Sequence, residues 1–276
     1  MSAASMIGRK FLVTGATDGI GKHTAFRLAK TGATVLMHGR SAEKLRKATE
    51  EIEQKTGNKC LESYIADLGS LDQVRSLSED IHKKHCSLDV LVNNAGVYLT
   101  TRQESKDGYE MTFAVNVLAP FLLTSLLMDL LKKGQSSRIV HVSSISHHNC
   151  PKGGLDDLNS KSNYADGRGA YGLSKLCDIM FTYKMARDLK ADDITVNCLD
   201  PGTVNTNMLI KAWGPIGIPI EEANFVFRAA TDPVLDKVTG KYFVDDKDTE
   251  TSAIAYDREK QDKLWATLVE ITGAVY

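Results

Sequence analysis

Residues 11–21 read FLVTGATDGIG. An apolar run suited to a buried strand passes straight into Gly15, Gly19 and Gly21, and a helical pattern begins at Gly19. Glycines placed this way let a backbone come close: a Cβ at any of them could block a ligand or the packing of the helix on the strand. A helix N-terminus carries unsatisfied N–H groups and partial positive charge, so such a turn suits an anion such as a dinucleotide pyrophosphate. The alternative is an ordinary tight turn.

The rest of the chain repeats the pattern that makes the first reading useful. Strand-like runs occur at 10–14, 33–38, 61–66, 88–94, 138–144, 194–199 and 240–246, with helical periodicity between them. One helix carries Leu45, Ala48 and Ile52 on one face and stops at Gly57; the next carries Leu71, Val74, Leu77 and Ile81, with Ser70 as expected cap and Gln73 three residues on. Alternating strands and helices predict an α/β fold: a doubly wound parallel sheet of about seven strands with helices on both faces. With no linker, repeat or low-complexity tract, a single dinucleotide-binding and catalytic domain is expected over 1–276. Ligands of such sheets bind beyond the carboxyl ends of the strands.

Composition excludes several classes. The formal net charge is −1, which favours neither nucleic acid nor an anionic membrane as main partner. Five scattered cysteines with no CxxC pair argue against a disulfide framework or a metal site and suit a reducing, cytoplasmic setting. The start MSAASMIGRK is too short and polar for a signal peptide or hydrophobic anchor. Residues 111–131 approach the length of a membrane span, but Asn116, Pro120, Thr124, Ser125 and Asp129 interrupt them. A helix apolar on nearly all sides is instead expected between the sheet and a partner subunit.

TGATDGIG, with its GxxxGxG spacing, resembles the first turn of the short-chain dehydrogenases/reductases. Four further features agree in order: NNAG at 93–96, Asn116 in the central helix, a serine at the end of the fifth strand, and YGLSK at 171–175; PG at 201–202 follows the sixth strand. The resemblance covers residues 8–246. It implies a Rossmann-type fold with a nicotinamide dinucleotide against Gly15, Thr17, Asp18, Gly19, Ile20 and Gly21. It adds Asp67 and Leu68 after the third strand, Asn94, Ala95 and Gly96 after the fourth, and Pro201, Gly202, Val204 and Thr206 after the sixth. Asp67 resembles an adenine contact, with helix capping as its alternative role.

The end of the second strand bears on which dinucleotide. NAD sites usually carry an acidic residue there. Here Gly39 holds the position and Arg40 follows. A guanidinium can grip a 2′-phosphate that a carboxylate would repel, and Ser41 can donate a further hydrogen bond, so NADP(H) is the expected cofactor. A solvated arginine at a helix start is the competing reading.

Tyr171 and Lys175 stand four apart and share one helix face. An ammonium beside a phenol stabilises the phenolate and lowers its pKa, which suits proton transfer to a carbonyl oxygen. By resemblance, Tyr171 and Lys175 also touch the cofactor, Ser144 polarises the substrate oxygen with Ser143 as competitor, and Asn116 kinks its helix. The DDLN segment and the closing DKLWATLVEITG resemble the retinol-dehydrogenase-like branch, whose substrates are retinoids and other lipophilic aldehydes and ketones. His147 and His148 are expected to be solvated loop residues, with a place in the pocket lining as the alternative. Residues 203–220, with Met208, Leu209, Trp213, Ile216 and Ile218, are expected to form a substrate lid. The resemblance further implies a homodimer or homotetramer. The expected function is an NADP(H)-dependent oxidoreductase acting on the carbonyl or alcohol of a small lipophilic aldehyde, ketone, steroid or retinoid. The alternative is a catalytically weak nucleotide-binding regulatory protein on the same fold.

Overall fold

The structure is a computed structural model and describes residues 5–162 and 164–276; residues 1–4 of the polar N-terminal stretch lie outside it. β1 (Lys10–Val13) leads into α1 (Gly19–Ala29), β2 (Thr34–Gly39), α2 (Ala42–Thr56), β3 (Leu61–Ile65), α3 (Leu71–His82) and β4 (Val90–Asn93). Three short helices follow, α4 (Met111–Phe113), α5 (Ala119–Leu126) and α6 (Met128–Lys132), with a π turn at Ala114–Leu118 between the first two. Then come β5 (Arg138–Val142), α7 (Arg168–Asp188), β6 (Thr195–Leu199), α8 (Asn207–Trp213), α9 (Phe225–Thr231), β7 (Tyr242–Val244), β8 (Lys247–Asp248) and α10 (Arg258–Thr272).

The strands form one sheet in the order 3-2-1-4-5-6-7-8. β1 to β7 are parallel, as expected. β8 is a two-residue antiparallel edge strand, too short to leave a periodic signal. Strand order reverses between β1 and β4, so a crevice opens beyond Val13 and Asn93. Period-two alternation divides the strand residues between two cores. Leu12 and Leu36 pack with α3, α5, α7 and α10 on one face; Phe11, Val13, Val35 and Met37 pack with α1, α2 and α9 on the other. Each fully buried side chain of this kind contributes about 1.5–3 kcal/mol of transfer free energy.

Three expectations need correction. Ser70 has the extended backbone of a cap but makes no side-chain cap bond. Asp107 accepts from Leu71 N at 2.9 Å in its place, and the Gln73 side chain accepts from Asp67 N at 2.8 Å. The apolar 111–131 segment is not one helix: the π turn and the break at Leu127 divide it. Its second face is covered within the chain, where Phe121 meets Trp265 and Tyr276 at ring-centroid distances of 4.8 and 5.1 Å. Among the described residues, no helix is long and apolar enough to cross a membrane. Finally, His147 is buried rather than solvated. Its Nδ1–H donates to Ser144 O (2.9 Å) and its Nε2 accepts from Ser252 N (3.3 Å). His148 is exposed.

Candidate active site

The crevice at the strand-order reversal is a cavity of about 400 Å³, within the range of small-molecule sites. Its floor is the glycine turn. Gly15 and Gly19 have φ of +68° and +55°, conformations that side chains resist. A Cβ on Gly21 would lie 2.3 Å from Gly15 O and 2.4 Å from Asn94 Nδ2. Thr14 and Asn94 knit the two strand ends together: Thr14 Oγ1 accepts from Asn94 N and Ala95 N, both at 3.0 Å, and Asn94 Nδ2 donates to Thr14 O at 2.8 Å. Asp18 caps α1 and receives a bond from Asn207 Nδ2 (2.5 Å), which joins the turn to the start of α8.

Most residues expected to hold the cofactor line this one cavity: Gly15, Thr17, Asp18, Gly19, Ile20, Gly21, Arg40, Ser41, Asp67, Leu68, Asn94, Ala95, Gly96, Tyr171, Lys175, Pro201 and Thr206. Gly202 and Val204 do not. Gly202 turns the chain at φ +81°, its N–H held by Asp200, and Val204 is buried and paired with Ile218. Several lining residues were missed in the sequence. His38, buried at the end of β2, accepts from Gly15 N through Nδ1 (3.3 Å) and donates from Nε2 to Ala66 O (3.0 Å). Burial pushes its imidazole down to about 4, so it stays neutral and keeps that acceptor for the turn. Lys44, in the first turn of α2 and four residues beyond Arg40, also lines the cavity. Its neighbours Arg46 and Lys47 are paired to Glu50 and Glu43 within α2. Among the described residues, the Arg40 and Lys44 side chains have no such carboxylate.

At the other end, α7 carries Tyr171 and Lys175, with Lys175 Nζ 5.7 Å from the Tyr171 ring centroid. Ser143 lines the cavity but commits its hydroxyl to Lys175 O at 2.9 Å. Ser144 lies outside the lining; its Oγ accepts from Ser146 N at 3.1 Å, and its hydroxyl is the smallest of the influences on the Tyr171 phenol, in the lowering direction. Asn116 sits on the π turn behind the wall: its Oδ1 accepts from Val97 N (2.8 Å), and its Nδ2 donates to Val97 O and Ser174 Oγ, both at 3.0 Å. Buried Asp200 was also missed; it accepts from Ile145 N (2.6 Å) and Gly202 N (2.7 Å) and so joins the loops after β5 and β6.

The electrostatics refine the expected effect of Lys175. Burial pushes the Tyr171 phenol above its usual value; Lys175 pulls it down, and Asp178 and Asp200 push it further up. The net shift without cofactor is upward, although the lysine acts in the expected direction. Above this end, Tyr98 stands edge-on to Tyr171 with ring centroids 5.6 Å apart and packs on Trp213 at 4.9 Å.

The family profile of the short chain dehydrogenases matches residues 9–214. Human polyprenol dehydrogenase is 35% identical over 285 residues, covering 97% of this chain and 86% of its own. Human retinol dehydrogenase 14 is 36% identical over 287 residues, covering 94% and 85%. Among solved structures, an uncharacterised protein of Mycobacterium paratuberculosis superposes with a TM-score of 0.81 at 29% identity, covering 99% of this chain and 96% of its own. A protein of Escherichia coli assigned to the short chain dehydrogenases, solved in complex with NADPH, gives 0.73 at 26% identity, covering 88% and 98%. The chain belongs to the short-chain dehydrogenases, on their retinol-dehydrogenase-like branch, a family of oxidoreductases that use a nicotinamide cofactor.

Proposed function

We propose that this protein is an NADP(H)-dependent oxidoreductase that reduces the carbonyl of a small lipophilic aldehyde, ketone, steroid or retinoid, or oxidises the corresponding alcohol. One observation carries the reading. A single cavity has a glycine cradle that a Cβ would fill, two cations without carboxylate partners among the described residues at one end, and Tyr171 with a buried ammonium at the other.

The residues suit the cofactor. Arg40, Lys44 and Ser41 offer the donors a 2′-phosphate needs, with Gly39 where a carboxylate would repel it. Bound there, a reduced nicotinamide supplies hydride to the carbonyl carbon. Tyr171 gives the proton to the carbonyl oxygen, and Ser144 donates a hydrogen bond that polarises it. The Lys175 ammonium steadies the negative charge left on the phenol. Asn116 holds Val97 and the wall that faces the reacting groups.

NADPH is expected to bind at least about tenfold more tightly than NADH, roughly 1.4 kcal/mol. Arg40→Ala should remove most of that gap, and Arg40→Ala with Lys44→Ala should remove the rest. Fluorescence titration of both cofactors checks this; equal wild-type affinities would sink the assignment. The lid over 203–220 is part of the proposal. Its Ile210, Ile216 and Ile218 are 43%, 67% and 36% exposed, while Trp213 already rests on Tyr98. Trp213→Ala should raise KM for bulky apolar carbonyls much more than for small polar ones and spare cofactor affinity. Lost liposome binding with unchanged kinetics would make the loop a lipid contact instead. A two-fold homo-oligomer rests on the family resemblance alone, and a monomer mass by light scattering would remove it.

A further inference from the structure

Lys175 is not held by the cavity alone. Its Nζ donates to Val142 O at 2.8 Å and to Asp178 Oδ2 at 2.9 Å. Asp178 lies one turn further along α7, and the two side chains are 5% and 4% exposed. An ammonium has three N–H donors, so these two contacts leave one for the cavity that Lys175 lines. Asp178 Oδ1 is buried without a hydrogen-bond partner, so the carboxylate is oriented by the lysine and by little else.

We propose that Asp178 is a positioning residue of the active site: its buried carboxylate aims the Lys175 ammonium and tempers that ammonium's pull on the Tyr171 phenol. This rests on the proposed roles of Tyr171 and Lys175. Burial pushes Lys175 toward losing its proton, but Asp178, Tyr171 and Asp200 together outweigh it, and without Asp178 the ammonium still has Val142 O, Tyr171 and Asp200 to hold its charge. The same carboxylate opposes ionisation of Tyr171. Burial raises Asp178 itself to about 6 against the pull of Lys175, so it is ionised across the alkaline range in which a phenol titrates. The other groups facing this cluster come from two neighbouring strands. His141 on β5 is neutral, pushed by burial down to about 3. Cys198 on β6 is pushed up by burial and stays a thiol. Asp200, after β6, opposes Tyr171 ionisation alongside Asp178. On α7 itself, Cys177 is pushed up by burial and is likewise neutral.

The experiment uses the full chain without cofactor, so it does not depend on turnover. Tyrosine labelled at Cζ is titrated by ¹³C NMR, and Tyr171 is assigned by the signal missing in Tyr171→Phe. Asp178→Asn keeps the shape and an acceptor but removes the charge. It is expected to lower the Tyr171 pKa by about one unit. In alcohol oxidation, the rising limb of the kcat pH profile should move to lower pH by a similar amount. An unchanged or raised Tyr171 pKa would overturn the proposal, as would a fall in kcat with both limbs in place. If Asp178→Asn does not fold, Lys175→Met with Asp178→Asn decides. A folded double variant shows that the carboxylate is needed to hold the ammonium; a double variant that also fails gives Asp178 a structural role apart from Lys175 and refutes the idea. A shifted titration in a protein that turns nothing over would leave Asp178 as proposed and remove the enzymatic reading alone.

Discussion

Tyr171→Phe is expected to lower kcat at least about 100-fold while NADPH affinity stays within about twofold of wild type, because general-acid transfer contributes about 10²–10⁴-fold. Only the phenolic oxygen is lost. The ring keeps its packing against Tyr98, and Lys175 keeps Val142 O and Asp178 as partners. Lys175→Ala should behave differently, since it removes the ammonium that faces the cavity and leaves Asp178 buried without its partner. Both turnover and cofactor binding should then fall. Steady-state kinetics with fluorescence titration separates the cases, and retention of more than about a tenth of wild-type kcat by Tyr171→Phe would show the proton donor to be misassigned.

The second large effect is expected at Gly21. A Cβ there would sit 2.3 Å from a backbone oxygen, Gly15 O, and 2.4 Å from the Asn94 amide that ties β1 to β4. Neither neighbour is the loose end of a flexible side chain, so the turn itself must move. Gly21→Ala should cost about 1–3 kcal/mol of stability, as overpacking does, and weaken dinucleotide binding at least about 100-fold. Urea unfolding should show a lower midpoint at unchanged m, alongside the titration. Wild-type affinity in this variant would mean that the turn does not cradle the cofactor.

The sheet and the glycine turn that floors the cavity were legible because their signals are local. Gly15, Gly19 and Gly21 report a backbone need within seven residues, and Tyr171 and Lys175 share a face by helical spacing alone. Lys44 carried a readable sign, four residues beyond Arg40 in the first turn of α2, but its neighbouring charges are ordinary helix-surface pairs and mask it. The misses depend on distant partners. His147 looked like a solvated loop residue because its acceptor bond comes from Ser252, 105 residues away. Ser70 lost its capping role to Asp107, from a loop 36 residues beyond Leu71. The 111–131 segment looked like a helix that needed a partner subunit because the chain's own C-terminal aromatics, Trp265 and Tyr276, cover it.

The central claim is tested most directly by following the absorbance of reduced nicotinamide while lipophilic aldehydes, ketones, steroids and retinoids are added in turn to wild-type protein and to Tyr171→Phe. The account predicts carbonyl-dependent consumption of NADPH, at least about tenfold slower with NADH and at least about 100-fold slower in Tyr171→Phe. Tight NADPH binding with no consumption by any carbonyl, and no reverse reaction with the corresponding alcohols and NADP, would contradict it and make the protein a nucleotide-binding regulator on a dehydrogenase fold.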